Sequence, residues 1–585
     1  MEGNTENDRL SWHNKPSDND RVEFLMRNFD LSRLTATFIS RMGMEDLRSI
    51  KHFLNPKLTY LSNPFEITNL GRAVERLIRA IEQSEQIFVI GDYDVDGVTS
   101  TAVFVDVFRS LGADPDYMVP KRIDDGYGLS LNVVNDRVLG NGHRYDLVVA
   151  LDCGSNEYES LDNLISNGVD VIVVDHHQIQ DQLHPGMILV NPHSESGEKE
   201  QSKLLCSVGL TFKLIQGLLG KLQAKGMQKA FSIALKDYLD LVALGTLSDL
   251  VPLVGDNRIL VSHGLKRMGK SKHPGLQALM DVCSLTYGVD VDVVDVSFKL
   301  GPRLNAGGRM SDATISVNLL LSKSFSTCFK YAHELDALNQ DRQSTERLIY
   351  DQAISYLSKR PFKDAVVLYD PEWHTGVVGV VSSRIVRNYN VPVVVLGSEG
   401  GFARGSVRSV EGVDINQALN ECSDYLESWG GHPMAAGLCL QPKNLEGFRE
   451  SFTQAVSRQM REWKQPDQAL EILEIDAWIE ASDITYDFMS ELKMLGPFGV
   501  RNPEPVWAMK GAQLTSKVTR FGTDNFKFWV SLTGVDYDLM GLGWGFPSRI
   551  PESRHPLDLV FNLKWHEWKG RGYPQATILD WRYAL

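Results

Sequence analysis

Long apolar runs, paired cysteines and positive net charge are all missing from this sequence, and each absence removes a class of protein. No apolar stretch approaches the ~20 residues that a membrane-spanning helix requires. The six cysteines (Cys153, Cys206, Cys283, Cys328, Cys422 and Cys439) are scattered without a CxxC pair. That argues against a disulfide scaffold or a cysteine-based zinc site and fits a reduced, cytoplasmic setting. The segment Met1 to Asp8 is acidic and polar, so no signal peptide is expected. A net charge of −15 speaks against a passive nucleic-acid coat, because bulk repulsion opposes a polyanion. A polyanionic substrate would have to be held by a local basic cleft and by cations.

What is present has ordinary globular proportions, 43% hydrophobic and 23% charged, in a chain of 585 residues that is too long for one core. Residues 1–80 carry short helical patterns and read as a lead-in packed on the first domain. Residues 81–324 open with strand-like runs alternating with amphipathic segments, the pattern of βαβ units and a parallel sheet. Phe231 to Leu247 reads as one helix. Residues 325–360 read as a single connecting helix, with Leu335, Leu338, Leu348, Ile349, Ala353 and Leu357 on one stripe. A second α/β unit occupies 361–464, with strands at Ala365–Tyr369 and Val391–Leu396 around a helix. Residues 465–585 change to short alternating strands separated by turns, an all-β module resembling a small barrel.

Three apolar runs end in residues that ligate metals. Ile87–Ile90 leads into Asp92, Asp94 and Asp96; Leu147–Leu151 leads into Asp152; Val171–Val174 leads into Asp175, His176 and His177. Open α/β sheets place ligands at that edge. If the extended pairing continues, Asp92, Asp94 and Asp96 alternate onto one face. Each residue alone has a plainer explanation: an acidic turn, a helix cap, a core histidine. Their joint occurrence, closed by Asp249, favours a metal site. A mixed carboxylate–imidazole set suits Mn²⁺ better than zinc, and bridging carboxylates point to two ions. Paired metals about 3.5–4 Å apart can activate water and stabilise both oxygens of an in-line displacement at phosphorus.

On the substrate side, Arg122, Arg303, Arg309, Arg384 and Arg408 sit in Gly-, Ser- or Asn-containing stretches, where a planar guanidinium can meet phosphate. The alternative for each is a surface arginine paired with an acid. The last module interleaves Trp529, Trp544, Trp565, Trp568 and Tyr573 with Lys564, Lys569 and Arg571, a combination suited to stacking bases and tracking phosphates. Some of these rings must also fill the core.

The motifs GDYDVDG (91–97), LDCG (151–154), VDHH (174–177) and ALGTLSDLVP (243–252) resemble the four motifs of the DHH phosphoesterase superfamily. Further stretches narrow the resemblance, from about residue 20 onward, to the RecJ family of single-strand-specific DNA exonucleases. They are VPKR (119–122), GYGL (126–129), GPRLNAGGR (301–309), WHTGVVG (373–379), RGSVRS (404–409) and GGHPMAAG (430–437). The resemblance implies a parallel-sheet DHH domain joined by the long helix to a DHHA1 lobe, with a C-terminal OB-fold. It implies Mn²⁺ or Mg²⁺, two ions. Asp94 and Asp152 would hold one, with Asp92 nearby; Asp96, Asp152, His176 and Asp249 would hold the other, and His177 would face the scissile phosphate. Arg122, Arg303, Asn305, Arg309 and Arg384 would bind substrate. Ser406 and Arg408 would hold a terminal phosphate, with Gly431 and His432 lining the groove.

The expected activity is 5′ to 3′ release of mononucleotides from single-stranded DNA in recombination and repair. The expected protein is a cytoplasmic monomer, not membrane-bound, working with a single-strand-binding protein and a helicase. Two alternatives stay open: a phosphodiesterase for short oligonucleotides or cyclic dinucleotides, and an inactive replication scaffold. One departure stands out: Arg501 occupies a position where the family usually has glycine, which puts the backbone of that turn in question.

Overall fold

The structure, a computed structural model, describes residues 11–120, 128–140, 145–179, 182–194, 202–359, 362–463, 472–522, 524–532, 535, 537–546, 549–552, 555–568 and 571–584, without the side chains of 567, 568 and 571. Arg122, the polar loop 195–200 and the side chains of Trp568, Lys569 and Arg571 lie outside the described residues.

The first domain is built on a five-stranded parallel sheet in the order Asp116–Met118, Ile87–Gly91, Leu147–Leu151, Asp170–Val174, Ile188–Val190. Its central strands are apolar on both faces because helices cover both, and a buried parallel strand has no polar side to show. The register sets Gly91 beside Leu151 and Leu151 beside Val174. The residues that follow, Asp92, Asp152 and Asp175, therefore emerge in a row. Each backbone N–H donates to the neighbouring strand: Asp92 to Leu151 O (3.2 Å), Asp152 to Val174 O (2.9 Å), Asp175 to Val190 O (3.1 Å).

Phe231–Leu247 is not one helix. A short helix ends at Ser232, Ile233 is extended, and helix resumes over Leu239–Ser248. The break turns the chain so that the Tyr238 hydroxyl reaches Asp106 (2.9 Å). By contrast, Phe325–Lys359 is one unbroken helix of 35 residues. Its buried stripe is divided between two cores. Cys328, Ala332 and Leu335 pack on the first domain, and Ile349, Ala353 and Leu357 on the second lobe. Leu348, expected on the stripe, is 58% exposed; Ile349, Ala353 and Leu357 lie four apart and set the stripe, and Leu348 falls about 100° round the helix from Ile349, outside its edge.

The second lobe has the strand order Ser428–His432, Ala435–Leu440, Phe402–Arg408, Val393–Glu399, Val366–Tyr369, with only the last pair parallel. The helix Val378–Tyr389 packs on one face over Val393 and Val395. The C-terminal module is a seven-stranded, mainly antiparallel sheet whose inner face, including Phe526, Phe528, Leu559 and Phe561, forms its core.

The lead-in does not pack as one piece on the first domain. Val22, Leu25, Phe38, Ile39, Ile50 and Phe53 share the core of the C-terminal module, and the strand Ser11–Asn14 pairs in parallel with Ile472–Ile475. Only the later part, including the helix Leu70–Gln83, joins the first domain through Leu70, Val74 and Leu77. The early helices are too short to stand alone, and the β module offers the apolar surface they bury.

Candidate metal centre and substrate groove

The strand before Asp92 stops at Gly91, so Asp92, Asp94 and Asp96 do not alternate along a strand. Asp94 is the N-cap of the helix Val95–Leu111, accepting from Asp96 N (2.9 Å) and Gly97 N (3.1 Å), while Asp96 lies in its first turn. The strand-to-helix turn itself brings the three acids together. It is tight: a Cβ on Gly97 would meet Asp92 O at 2.4 Å. Asp152 takes a left-handed backbone, φ 65°, which aims its carboxylate across the row.

Asp96 is buried and fixed by the N-terminus of the helix Ser207–Ala224, whose Ser207 and Val208 N–H groups donate to it at 2.7 and 2.8 Å. His176 Nε2 stands 3.4 Å from Asp152 Oδ1, 3.5 Å from Asp249 Oδ2 and 3.8 Å from Asp96 Oδ2. His177 Nδ1 donates to Asp175 (2.7 Å). Asp175 is also held by the N–H groups of Ser155, His176 and His177. Among the described residues, donor atoms within 4.8 Å of one another form three groups: Asp92, Asp94 and Asp152; Asp152, His176 and His177, which shares Asp152 with the first; and Asp96, Cys206 and Asp249.

The electrostatics show that this cluster needs positive charge. Burial and then neighbouring carboxylates raise Asp92 and Asp152 well above the ordinary range, Asp96 to about 7 and Asp249 to about 9. Burial, and then His177, lowers His176 to about 4. His177 moves the other way: burial opposes its charge, but the Asp175 hydrogen bond and the charges of Asp175, Asp92 and Asp249 together outweigh it and raise the ring to about 9. Four buried atoms of the cluster have no hydrogen-bond partner among the described residues: Asp92 Oδ1, Asp152 Oδ1, His176 Nε2 and Asp249 Oδ2. Hard carboxylate oxygens with one imidazole suit Mn²⁺ or Mg²⁺.

The second-lobe residues share one face. The cross-strand register aligns His432, Ala435 and Arg408 in one row and Gly430, Gly437 and Ser406 in the next. Small residues thus floor a groove between the Val378–Tyr389 helix and the sheet edge. Arg408 donates to Ser406 Oγ and to Val407 O (2.9 Å). The exception is Gly431, which lies on the opposite face; at φ 152° a Cβ there would meet Ala435 O at 2.4 Å. The lobes meet at the helix Gly301–Met310. A Cβ on Gly308 would meet Tyr93 O at 2.9 Å, and one on Gly376 would meet Arg309 O at 2.1 Å.

Asn305 and Arg309 are half-buried on that helix. Arg303 instead donates to Asp336 (2.8 Å) and Lys299 O (2.9 Å), tying it to the long helix. Arg384 lies over the Tyr350 ring at 4.0 Å. Arg303 is thus paired with an acid, and Arg384 is stacked on an aromatic ring. In the C-terminal module Trp529 shares an outer-face row with Met540, Gln575 and Lys564, and its ring meets Tyr573 at 5.2 Å. Trp544 is exposed; Trp565 packs among Tyr486 and Tyr537.

The sequence groups Asp175 with the candidate ligands but does not show that it is the hydrogen-bond partner of His177. A lone Cys206, far from the acids in sequence, gave no spacing signal.

Matches to known proteins agree with this geometry. The DHH family N-terminal domain model matches residues 86–246, the DHHA1 domain model 363–458 and the RecJ OB domain model 475–580. The single-stranded-DNA-specific exonuclease RecJ of Escherichia coli is 36% identical over 94% of this chain and 95% of its own length. That of Bacillus subtilis is 32% identical over 98% of this chain and 71% of its own length. This chain belongs to the RecJ family. A crystal structure of Thermus thermophilus RecJ in complex with Mn²⁺ superposes with a TM-score of 0.80 at 28% identity, covering 99% of this chain and 80% of that one. Against this RecJ background, the departure at Arg501 resolves: it keeps φ 57°, the left-handed conformation glycine would take.

Proposed function

We propose that this chain is a metal-dependent exonuclease that degrades single-stranded DNA from the 5′ end to 5′-mononucleotides. The convergence of four orphaned ligand atoms at the sheet edge carries the reading; the relatives' names supply the substrate class. Asp92, Asp94 and Asp152 would hold one cation, and Asp96, Asp152, His176 and Asp249 the other, with Asp152 shared. Bound Mn²⁺ or Mg²⁺ would supply Lewis acidity at the phosphate and lower the pKa of an attacking water.

The protein's own groups do the rest. Asp175 accepts a hydrogen bond from His177 Nδ1–H and favours the charged imidazolium, so both ring nitrogens carry protons. The other ring nitrogen is left to donate to a phosphate oxygen or to the departing 3′ oxygen. Ser406, Arg408 and His432 would seat the terminal phosphate on a floor of small residues, so that the first phosphodiester falls at the metals. Trp529 and Tyr573 would stack bases further along the strand, with Lys564 beside them. On this reading the chain acts in recombination and repair as a cytoplasmic monomer, beside a helicase and a single-strand-binding protein.

The test gives the purified protein a long single strand, a duplex and a dinucleotide, with Mn²⁺ or with chelator. Mononucleotides from the long strand, absent in chelator and in Asp152→Ala, are expected. Rapid turnover of the dinucleotide alone would sink the exonuclease reading.

A further inference from the structure

Two adjacent side chains in the first turn of the helix Gly255–Met268 connect parts of the molecule that are distant in sequence. Asn257 is buried, and its amide donates to Leu204 O (2.6 Å) and Pro252 O (3.0 Å). Leu204 leads into Ser207 and Val208, whose N–H groups hold Asp96. Pro252 belongs to the short strap Asp249–Val254 that carries Asp249. One amide thus gathers the two segments that present Asp96 and Asp249.

Arg258, the next residue, is 2% exposed. Among the described residues no carboxylate pairs with it. It donates to Phe53 O (3.0 Å) and Met494 O (2.8 Å), and its guanidinium lies 3.9 Å from the Phe53 ring centroid. Phe53 and the helix Tyr486–Leu495 belong to the core of the C-terminal module. The strap touches that module too: Leu253 N–H donates to Val500 O (2.8 Å), and a Cβ on Gly499 would meet Leu253 Cδ1 at 2.8 Å. Burying an arginine against carbonyls alone is costly for simple adhesion, and an apolar side chain would glue the two surfaces more cheaply.

We infer that Asn257 and Arg258 are positioning residues through which the seating of the C-terminal module sets the spacing of Asp96 and Asp249, so that strand engagement by that module and cation binding are linked. The inference rests on the metal centre proposed above, and Mn²⁺ binding by the unaltered chain tests that centre separately.

The experiment measures free and bound Mn²⁺ by electron paramagnetic resonance on the full chain, together with thermal melting. Asn257→Ala and Arg258→Met should weaken Mn²⁺ binding about tenfold, with Arg258→Lys in between. The comparison variant is Leu276→Ala, which removes core packing in the same domain and lowers the melting temperature without touching the strap; its Mn²⁺ affinity should be unchanged. Equal Mn²⁺ affinity in Asn257→Ala, Arg258→Met and the unaltered chain would overturn the inference. Should these variants fail to fold, hydrogen exchange on the unaltered chain decides. In chelator, adding a thymidine oligonucleotide should raise protection of the 249–258 segment along with the C-terminal strands. Protection confined to the C-terminal strands contradicts the linkage.

Discussion

In the first lobe the candidate ligands are buried or half-buried, and backbone N–H groups fix Asp94, Asp96 and Asp175 before any cation arrives. In the second lobe His432 is exposed, and Arg408 leans on Ser406 across a floor of alanine and glycine. The difference follows from what each must hold. Clustered carboxylates attract a small cation strongly only where water is excluded and their mutual repulsion cannot relax. On the proposed reading the second lobe would hold a nucleic-acid terminus, which is large and must enter and leave, and an open face suits that.

Breaking the enclosed side has the largest expected effect. Asp152→Ala removes the carboxylate shared by two of the three donor groups and should lower strand degradation on the order of a thousandfold or more, measured under single turnover. Breaking the open side is milder and falls on substrate binding. Arg408→Ala forfeits charge-assisted hydrogen bonds of about 1.5–3 kcal/mol, so KM for a 5′-phosphorylated strand should rise roughly ten- to hundredfold. kcat should change little, and Arg408→Lys should recover only part, because the ammonium lacks the planar fork.

Trp529→Ala tests the outer face of the C-terminal module. Stacking is worth about 1–3 kcal/mol per base, so affinity for a long strand should fall and that for a dinucleotide should hold, read by anisotropy. The smallest effect is expected at the turn. Arg501→Gly relieves a left-handed residue that costs about 1–2 kcal/mol, against about 0.4–1 kcal/mol of added unfolded-chain freedom. The melting temperature should move upward by only a few degrees or less.

The enclosed site was far more legible in the sequence than the open one. Each strand is a buried apolar run, and parallel strands in register must end together, so the acids after Gly91, Leu151 and Val174 fall in one row. Their exact disposition was not legible: Asp94 and Asp96 were read as strand neighbours, yet they start a helix. On the open side, motif composition singled out Arg303 and Arg408 alike and could not say that Arg303 pairs with an acid. Whether an arginine meets phosphate or Asp336 depends on a partner 33 residues away. The same limit hid the fate of the lead-in, since amphipathic helices declare that they need cover without declaring whose. It also hid Asn257 and Arg258, whose partners are carbonyl groups and leave no trace in composition.

The central claim is that the buried acids form a cation centre, and melting against pH tests it most directly. In chelator, Asp96 and Asp249 bind protons more tightly folded, at about 7 and about 9, than unfolded at the ordinary carboxylate range near 4. The folded state then holds more protons, so stability should decline as pH rises from about 4 to about 9. His177, raised to about 9, acts in the same sense above its ordinary value. His176, lowered to about 4, opposes it only below about 6.5. The account predicts a melting temperature that falls between pH 6.5 and pH 9 in chelator and is restored by Mn²⁺, with no restoration in Asp152→Ala. A melting temperature indifferent to Mn²⁺ across that range would contradict it.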